Sequence, residues 1–241
     1  MLVLQPDTGV ADHVELREEG MLDLSRAWDF VASHAGATDP LLNEANAGHG
    51  TGTSSVVARR PAGKMTGAAS ETMLVPLRCL TSVAVFDQSP VAAAVDYARR
   101  KGAHVITLSL GGVWSSALHA TVQRAVIENV IVLAAAGNCV GTVVWPARYE
   151  EVIAIAGIDK NDKPWRGSCS GAEVAISAPA EFVPRAKRNA PTDPLDVVDG
   201  GQGTSLAVAL TAGIAAVWLA HHGRDHLISL LKPGRKSVCK A

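Results

Sequence analysis

Apolar residues in this chain gather into short unbroken runs, separated by segments in which they return every three or four positions. Met73-Leu74-Val75-Pro76-Leu77-Arg78, Val105-Ile106-Thr107-Leu108-Ser109-Leu110, Val130 to Ala136 and Val152 to Gly157 have strand length and apolar side chains of both parities. That is the signature of strands covered on two faces. Between them, Val91 to Lys101 places Val91, Ala94, Val95 and Ala98 on one helical face, and Leu118 to Asn129 repeats the spacing. Met1-Leu2-Val3-Leu4 is a further run, halted by Gln5-Pro6, after which Asp7-Thr8-Gly9-Val10 reads as a turn. A short strand is expected near Ala27-Trp28-Asp29-Phe30-Val31, with a loop through Gly36 to Pro40. Strands alternating with helices predict a three-layer α/β fold: a mostly parallel sheet with helices on both faces, as one domain over residues 1–241.

The longest apolar segment, Leu206 to Leu219, is apolar nearly all round and predicts a buried helix. It follows the glycine-rich turn Gly200-Gly201-Gln202-Gly203, so Thr204 and Ser205 fall in its first turn, where backbone N–H groups lack partners and the dipole is positive. A serine there serves as a cap or as a nucleophile. Gly48-His49-Gly50-Thr51 opens a second helix of small residues, and its glycines let another segment approach the imidazole closely. Asp7 stands just past a buried strand, where parallel sheets gather their active groups. Asn138 follows the small run Ala134-Ala135-Ala136-Gly137 at another strand end, either as a turn residue or as an amide donor.

Composition narrows the function classes. The 241 residues are 48% hydrophobic with net charge −1 and mean hydropathy +0.17, enough for one sizeable core and without a basic footprint for nucleic acid. Arg59-Arg60 and the Lys232 to Lys240 cluster read as solvated faces. No apolar run has both the length and the flanks of a membrane span. Cys79, Cys139, Cys169 and Cys239 are too sparse for a disulfide framework, although spacing leaves a Cys139–Cys169 bridge open. His222 and His226, one helical turn apart, with His221 or Cys239, have no carboxylate or paired-cysteine spacing to support a metal site and read as solvent-facing histidines, so none is expected. Gly200 to Gly203 lacks the Lys-Ser/Thr of a phosphate loop.

Asp, His and Ser arise in that order at the ends of three different elements, which is the chain order of subtilisin. On Asp7-Thr8-Gly9, Gly48-His49-Gly50-Thr51, Ser109-Leu110-Gly111-Gly112, Ala135-Ala136-Gly137-Asn138, Trp145-Pro146-Ala147-Arg148-Tyr149 and Gly203-Thr204-Ser205-Leu206-Ala207, the sequence resembles the subtilisin-like serine proteases. The resemblance implies a serine endopeptidase with Ser205 as nucleophile, His49 as base, Asp7 as its orienting carboxylate and Asn138 with the Ser205 N–H as oxyanion donors. It also implies that Ser109, Leu110 and Gly111 offer a strand edge to an extended peptide or protein substrate. Ala135, Ala136, Gly137, Val144 and Thr204 would then line the pocket for the residue before the cut.

Val144 stands where the family often has glycine, so a shallow pocket for small or medium apolar residues is expected. Ala209 and Leu210 replace a common proline and histidine, and Gly67-Ala68-Ala69-Ser70 a common Gly-Val-Ala-Pro. Arg60-Pro61-Ala62-Gly63-Lys64 lies where many members carry a calcium loop, and its cations suit no hard metal. No cofactor is expected to be required, and calcium elsewhere stays open. The tail from about residue 220 is shorter than usual. Resemblance implies export, while unpaired cysteines fit a reducing interior equally, and oligomeric state is left open. The alternative from another class is a catalytically inactive peptide-binding domain of the same fold. An esterase would need Ser before His and a Gly-x-Ser-x-Gly elbow, both missing.

Overall fold

The computed structural model describes residues 1–42, 45–58, 63–69, 72–138 and 141–231. The chain runs through β1 (Leu2–Asp7), β2 (Trp28–Asp29), β3 (His34–Ala35), α1 (His49–Val57), β4 (Met73–Arg78), β5 (Ala84–Val85) and α2 (Ser89–Arg100). It continues with β6 (Val105–Leu108), β7 (Gly111–Gly112), α3 (Ser116–Ile127), β8 (Ile131–Ala135), β9 (Ile153–Ile158) and β10 (Val174–Pro179). The antiparallel hairpin β11 (Val183–Ala186) and β12 (Val198–Gly201) then leads into α4 (Thr204–His222) and α5 (Arg224–Leu231).

Eight strands form the main sheet in the order β10-β9-β8-β6-β1-β4-β2-β3, parallel except for the β2–β3 pair. Because successive side chains point to opposite faces, the interior strands feed two cores. Leu2, Leu4, Val132 and Ala134 pack with α2 and α3 on one face, while Val3, Ile131, Leu133 and Ala135 pack with α1 and α4 on the other. The expected three-layer α/β architecture is what forms.

β1 carries a correction. Gln5-Pro6 does not halt it, for the strand continues to Asp7 in register with β4, up to Asp7↔Arg78. Pairing with β6 ends at Leu4↔Ile106, so Pro6 lies where the strand has a single neighbour and a missing N–H is tolerated. The helix from Leu206 is also less enclosed than its composition suggests, since Ile214 and Val217 are exposed. By length and composition α4 would cross a membrane, yet most of it fills the second core.

β1 is the switch point of the topology, because the chain places β4 on one side of it and β6 on the other. Crevices of this kind, outside the carboxyl ends of parallel strands, are where α/β proteins hold ligands. Asp7 ends β1, Ser109 follows β6 and Asn138 follows β8, so all three stand at this rim.

Candidate active site

Asp7 is buried, and both its oxygens are taken. Oδ1 accepts from His49 Nδ1 and from the Thr8 backbone N–H, each at 2.7 Å, and Oδ2 accepts from Thr53 Oγ1 at 3.1 Å. A carboxylate only accepts, so the bond fixes the proton of a neutral His49 on Nδ1 and leaves a bare lone pair on Nε2. Gly48, at φ 74°, turns the chain into α1 where a Cβ would strike the Arg188 carbonyl.

A second cluster forms at the start of α4. Ser205 Oγ donates to the Ser109 carbonyl at 3.3 Å, and Ser109 Oγ donates to the Ser205 carbonyl at 3.0 Å. The hydroxyl thus points to that carbonyl rather than to His49. Asn138 Oδ1 accepts from the Thr204 N–H at 3.0 Å and from Thr204 Oγ1 at 2.9 Å, while Thr204 Oγ1 accepts from the Gly137 N–H at 3.3 Å. These bonds settle the amide orientation, because only the carbonyl oxygen of Asn138 can accept from the Thr204 N–H. Its NH2 is left exposed beside the first turn of α4.

The β1–β6 register joins the clusters. The two strands pair in parallel up to Leu4↔Ile106, so Asp7 at the end of β1 and Ser109 just after β6 lie at the same end of neighbouring strands. A carboxylate-bound imidazole, a hydroxyl and an oriented amide therefore share one rim, with the N-termini of α1 and α4 beside them. Cys79, whose N–H bonds the Asp7 carbonyl at 3.0 Å, is no competing nucleophile. Burial, reinforced by Asp7 and Asp29, pushes its thiol well above the usual range.

The sequence profile of the Subtilase family matches residues 5–228. The chain belongs to the subtilase family. It is 33% identical to thermitase of Thermoactinomyces vulgaris over 91% of its own length and 74% of that protein's. Identity to subtilisin DY of Bacillus licheniformis is 31%, covering 90% of this chain and 75% of the relative. A cold-adapted subtilisin-like serine proteinase of known structure superposes with TM-score 0.73 at 26% identity, over 92% of this chain and 76% of the other. As a subtilase, the protein is a subtilisin-like serine endopeptidase.

The residues of this subtilase expected to contact substrate sit in different surroundings. Ala135 and Ala136 are buried and pack into the two cores, so Gly137 is the first residue of that run to reach the surface. Thr204 is fully buried and holds Asn138. Ser109 and Leu110 are buried too. The strand edge expected at Gly111 is already paired, because β5 adds to β7 in parallel, with the Gly111 N–H on the Val83 carbonyl at 2.9 Å. On the other side, the Gly112 N–H bonds the Trp145 carbonyl at 2.8 Å. Val144 lies against Gly111 and Gly137. A Cβ on Gly111 would lie 2.5 Å from its Cγ2 and one on Gly137 2.9 Å from the same atom, so the isopropyl group fills the space between the two glycines.

Sequence reasoning passed over Thr53 and Thr8. Thr53 lies one helical turn after His49, a spacing that puts both on one face of α1, and Thr8 directly follows Asp7. Cys79 and Cys169 are buried and free. Cys139, Cys239, Arg59-Arg60, Ser70, Lys232 to Lys240 and residues 60–62 of the altered calcium loop lie outside the described residues. His222 and His226 pack against Trp218 with tilted rings, centroids 4.4 and 5.4 Å from it. No group of three metal-ligating side chains occurs among the described residues.

Proposed function

We propose that this subtilase cleaves an extended peptide with Ser205 as nucleophile, His49 as general base and acid, and Asp7 as its orienting carboxylate. The observation that carries the reading is the 2.7 Å bond from His49 Nδ1 to Asp7, which leaves Nε2 free to take a proton. Rotation of Ser205 about its Cα–Cβ bond would turn the hydroxyl from the Ser109 carbonyl toward Nε2. Oγ then attacks the scissile carbonyl as its proton passes to His49, and the imidazolium formed is stabilised by Asp7. Return of that proton to the departing amine releases the first product, and water repeats the sequence on the acyl-enzyme.

Negative charge on the tetrahedral oxygen would be met by the Asn138 NH2 and the Ser205 N–H. The Thr204 bonds support this role, since they aim the amide before substrate arrives. The space between Gly111 and Gly137 is the pocket for the residue before the cut, and Val144 makes it shallow. Small or medium apolar residues therefore fit it better than Phe or Tyr. Residues 1–241 act as one peptidase domain, and its chemistry needs no metal.

A serine-directed fluorophosphonate tests the assignment. Labelling is expected at Ser205 alone, absent from Ser205→Ala, whose kcat falls by about 10⁶-fold, as it does in subtilisin. A folded protein left unlabelled would favour the inactive peptide-binding alternative. Asn138→Ala should keep KM and lower kcat by about 10²- to 10³-fold, again the size seen in subtilisin.

A further inference from the structure

Asp39 has no part in the chemistry just described, yet it is a carboxylate only 3% exposed. It sits in the loop after β3, and its hydrogen-bond partners are all neutral. Oδ2 accepts from Thr8 Oγ1 at 3.0 Å and from the Gly48 N–H at 2.8 Å, and Oδ1 accepts from the Leu41 N–H at 2.9 Å. A buried charge held this way costs more than a neutral side chain of the same shape. Stability is therefore a poor reason for its presence.

Position supplies a better one. Thr8 follows Asp7 and Gly48 precedes His49, so a single oxygen grips the neighbours of both hydrogen-bonded partners. Thr8 Oγ1 in turn accepts from the Gly50 N–H at 3.0 Å, closing the link on the far side of His49. The backbone between these points has no slack. A Cβ on Gly9 would lie 2.5 Å from the Ala37 carbonyl, and one on Gly50 2.1 Å from the Gly9 carbonyl. An ionised carboxylate can accept from Thr8 and Gly48 together. An amide in its place has only one accepting atom for the three donors, and its NH2 would face another donor.

We infer that Asp39 is a positioning residue for the reaction, setting the His49–Asp7 distance by holding Thr8 and Gly48 on one carboxylate. The inference rests on the triad reading above for its kinetic consequence, but not for its geometric one. Two readouts on Asp39→Asn separate them. The first is the rate of fluorophosphonate labelling at Ser205, with kcat and KM on a peptide. Misplacement of a catalytic group by a fraction of an ångström to one ångström lowers such rates by up to about 10²-fold. The expected pattern is a loss of about 10- to 100-fold in kcat and labelling with KM nearly constant.

The second readout is the His49 Nδ1–H proton resonance, which reports the bond to Asp7 whether or not the enzyme turns over. It should move upfield or broaden beyond detection in Asp39→Asn. Thr8→Val, which removes one arm of the link, should shift it in the same direction by less and serves if Asp39→Asn fails to fold. A folded variant with that resonance unmoved overturns the inference, whatever its activity. A parent enzyme that shows the resonance but does not label would instead overturn the triad reading, with Asp39 still judged by the resonance.

Discussion

In the proposed pocket, Val144 tests how far one side chain can set selectivity. Its γ-carbons occupy the gap between Gly111 and Gly137, so a substrate side chain must share that volume with them. Val144→Gly should raise kcat/KM for peptides with Phe or Tyr before the cut by about 10-fold or more, the scale of a few methylene-sized contacts in an apolar pocket. Cleavage after Ala should change little. A parent enzyme that already cuts faster after Phe or Tyr than after Ala, Val or Leu would remove the pocket argument. At this scale the sequence was legible where chemistry needs a short motif, as at Asp7, His49, Asn138 and Ser205. It was silent on Asp39 and on the bonds by which Thr204 holds Asn138. Their hydrogen bonds reach across loops to residues far along the chain, and no local spacing records such a bond.

At the scale of elements, β4, β6, β8, β9, α2, α3 and α4 were readable because burial on both faces or on one helical stripe repeats with a fixed period. β10 was not, since its half-exposed residues Val174–Pro179 show neither pattern clearly. The hairpin β11–β12 was hidden for another reason, because an eleven-residue excursion, largely polar and carrying Pro191 and Pro194, separates its strands. The pairing of β5 with β7 was also unforeseen, and it has a kinetic consequence. A peptide strand can reach the Gly111 N–H only if β5 leaves it, widening the gap from one strand spacing to two, from about 4.8 to about 9.6 Å. The scalar coupling across the hydrogen bond from Gly111 N to the Val83 carbonyl should be present in the free enzyme. It should vanish when an extended peptidyl inhibitor is bound at Ser205, and its persistence at saturation would show that substrate pairs elsewhere.

The molecule as a whole is tied together by contacts between distant parts of the chain, and one of them is sensitive to acid. His13 is buried with Nδ1 accepting from the Glu15 N–H at 3.2 Å and Nε2 against the Val197 carbonyl at 3.0 Å. Burial pushes its pKa down, against the opposing pull of the Val197 carbonyl. A proton added at Nδ1 would meet a donor. With the folded value depressed, this neutral ring contributes stability in full above the unfolded value of about 6.5. That contribution is lost as pH falls from there toward the lower folded pKa. Denaturant midpoints for the parent should therefore drop between pH 7.5 and pH 5, and His13→Gln should drop by less over the same interval. An equal fall in both would place the acid sensitivity in other groups.

α4 carries Ser205 and also fills the second core with Leu206, Ala207, Val208, Ala209 and Ala212. With Ser205 in its proposed role, every element before α4 emerges from the ribosome without the nucleophile beside His49. On the proposed mechanism, cutting power is therefore acquired together with much of the second core, and a nascent chain that stops short of α4 has no nucleophile with which to digest itself or its neighbours.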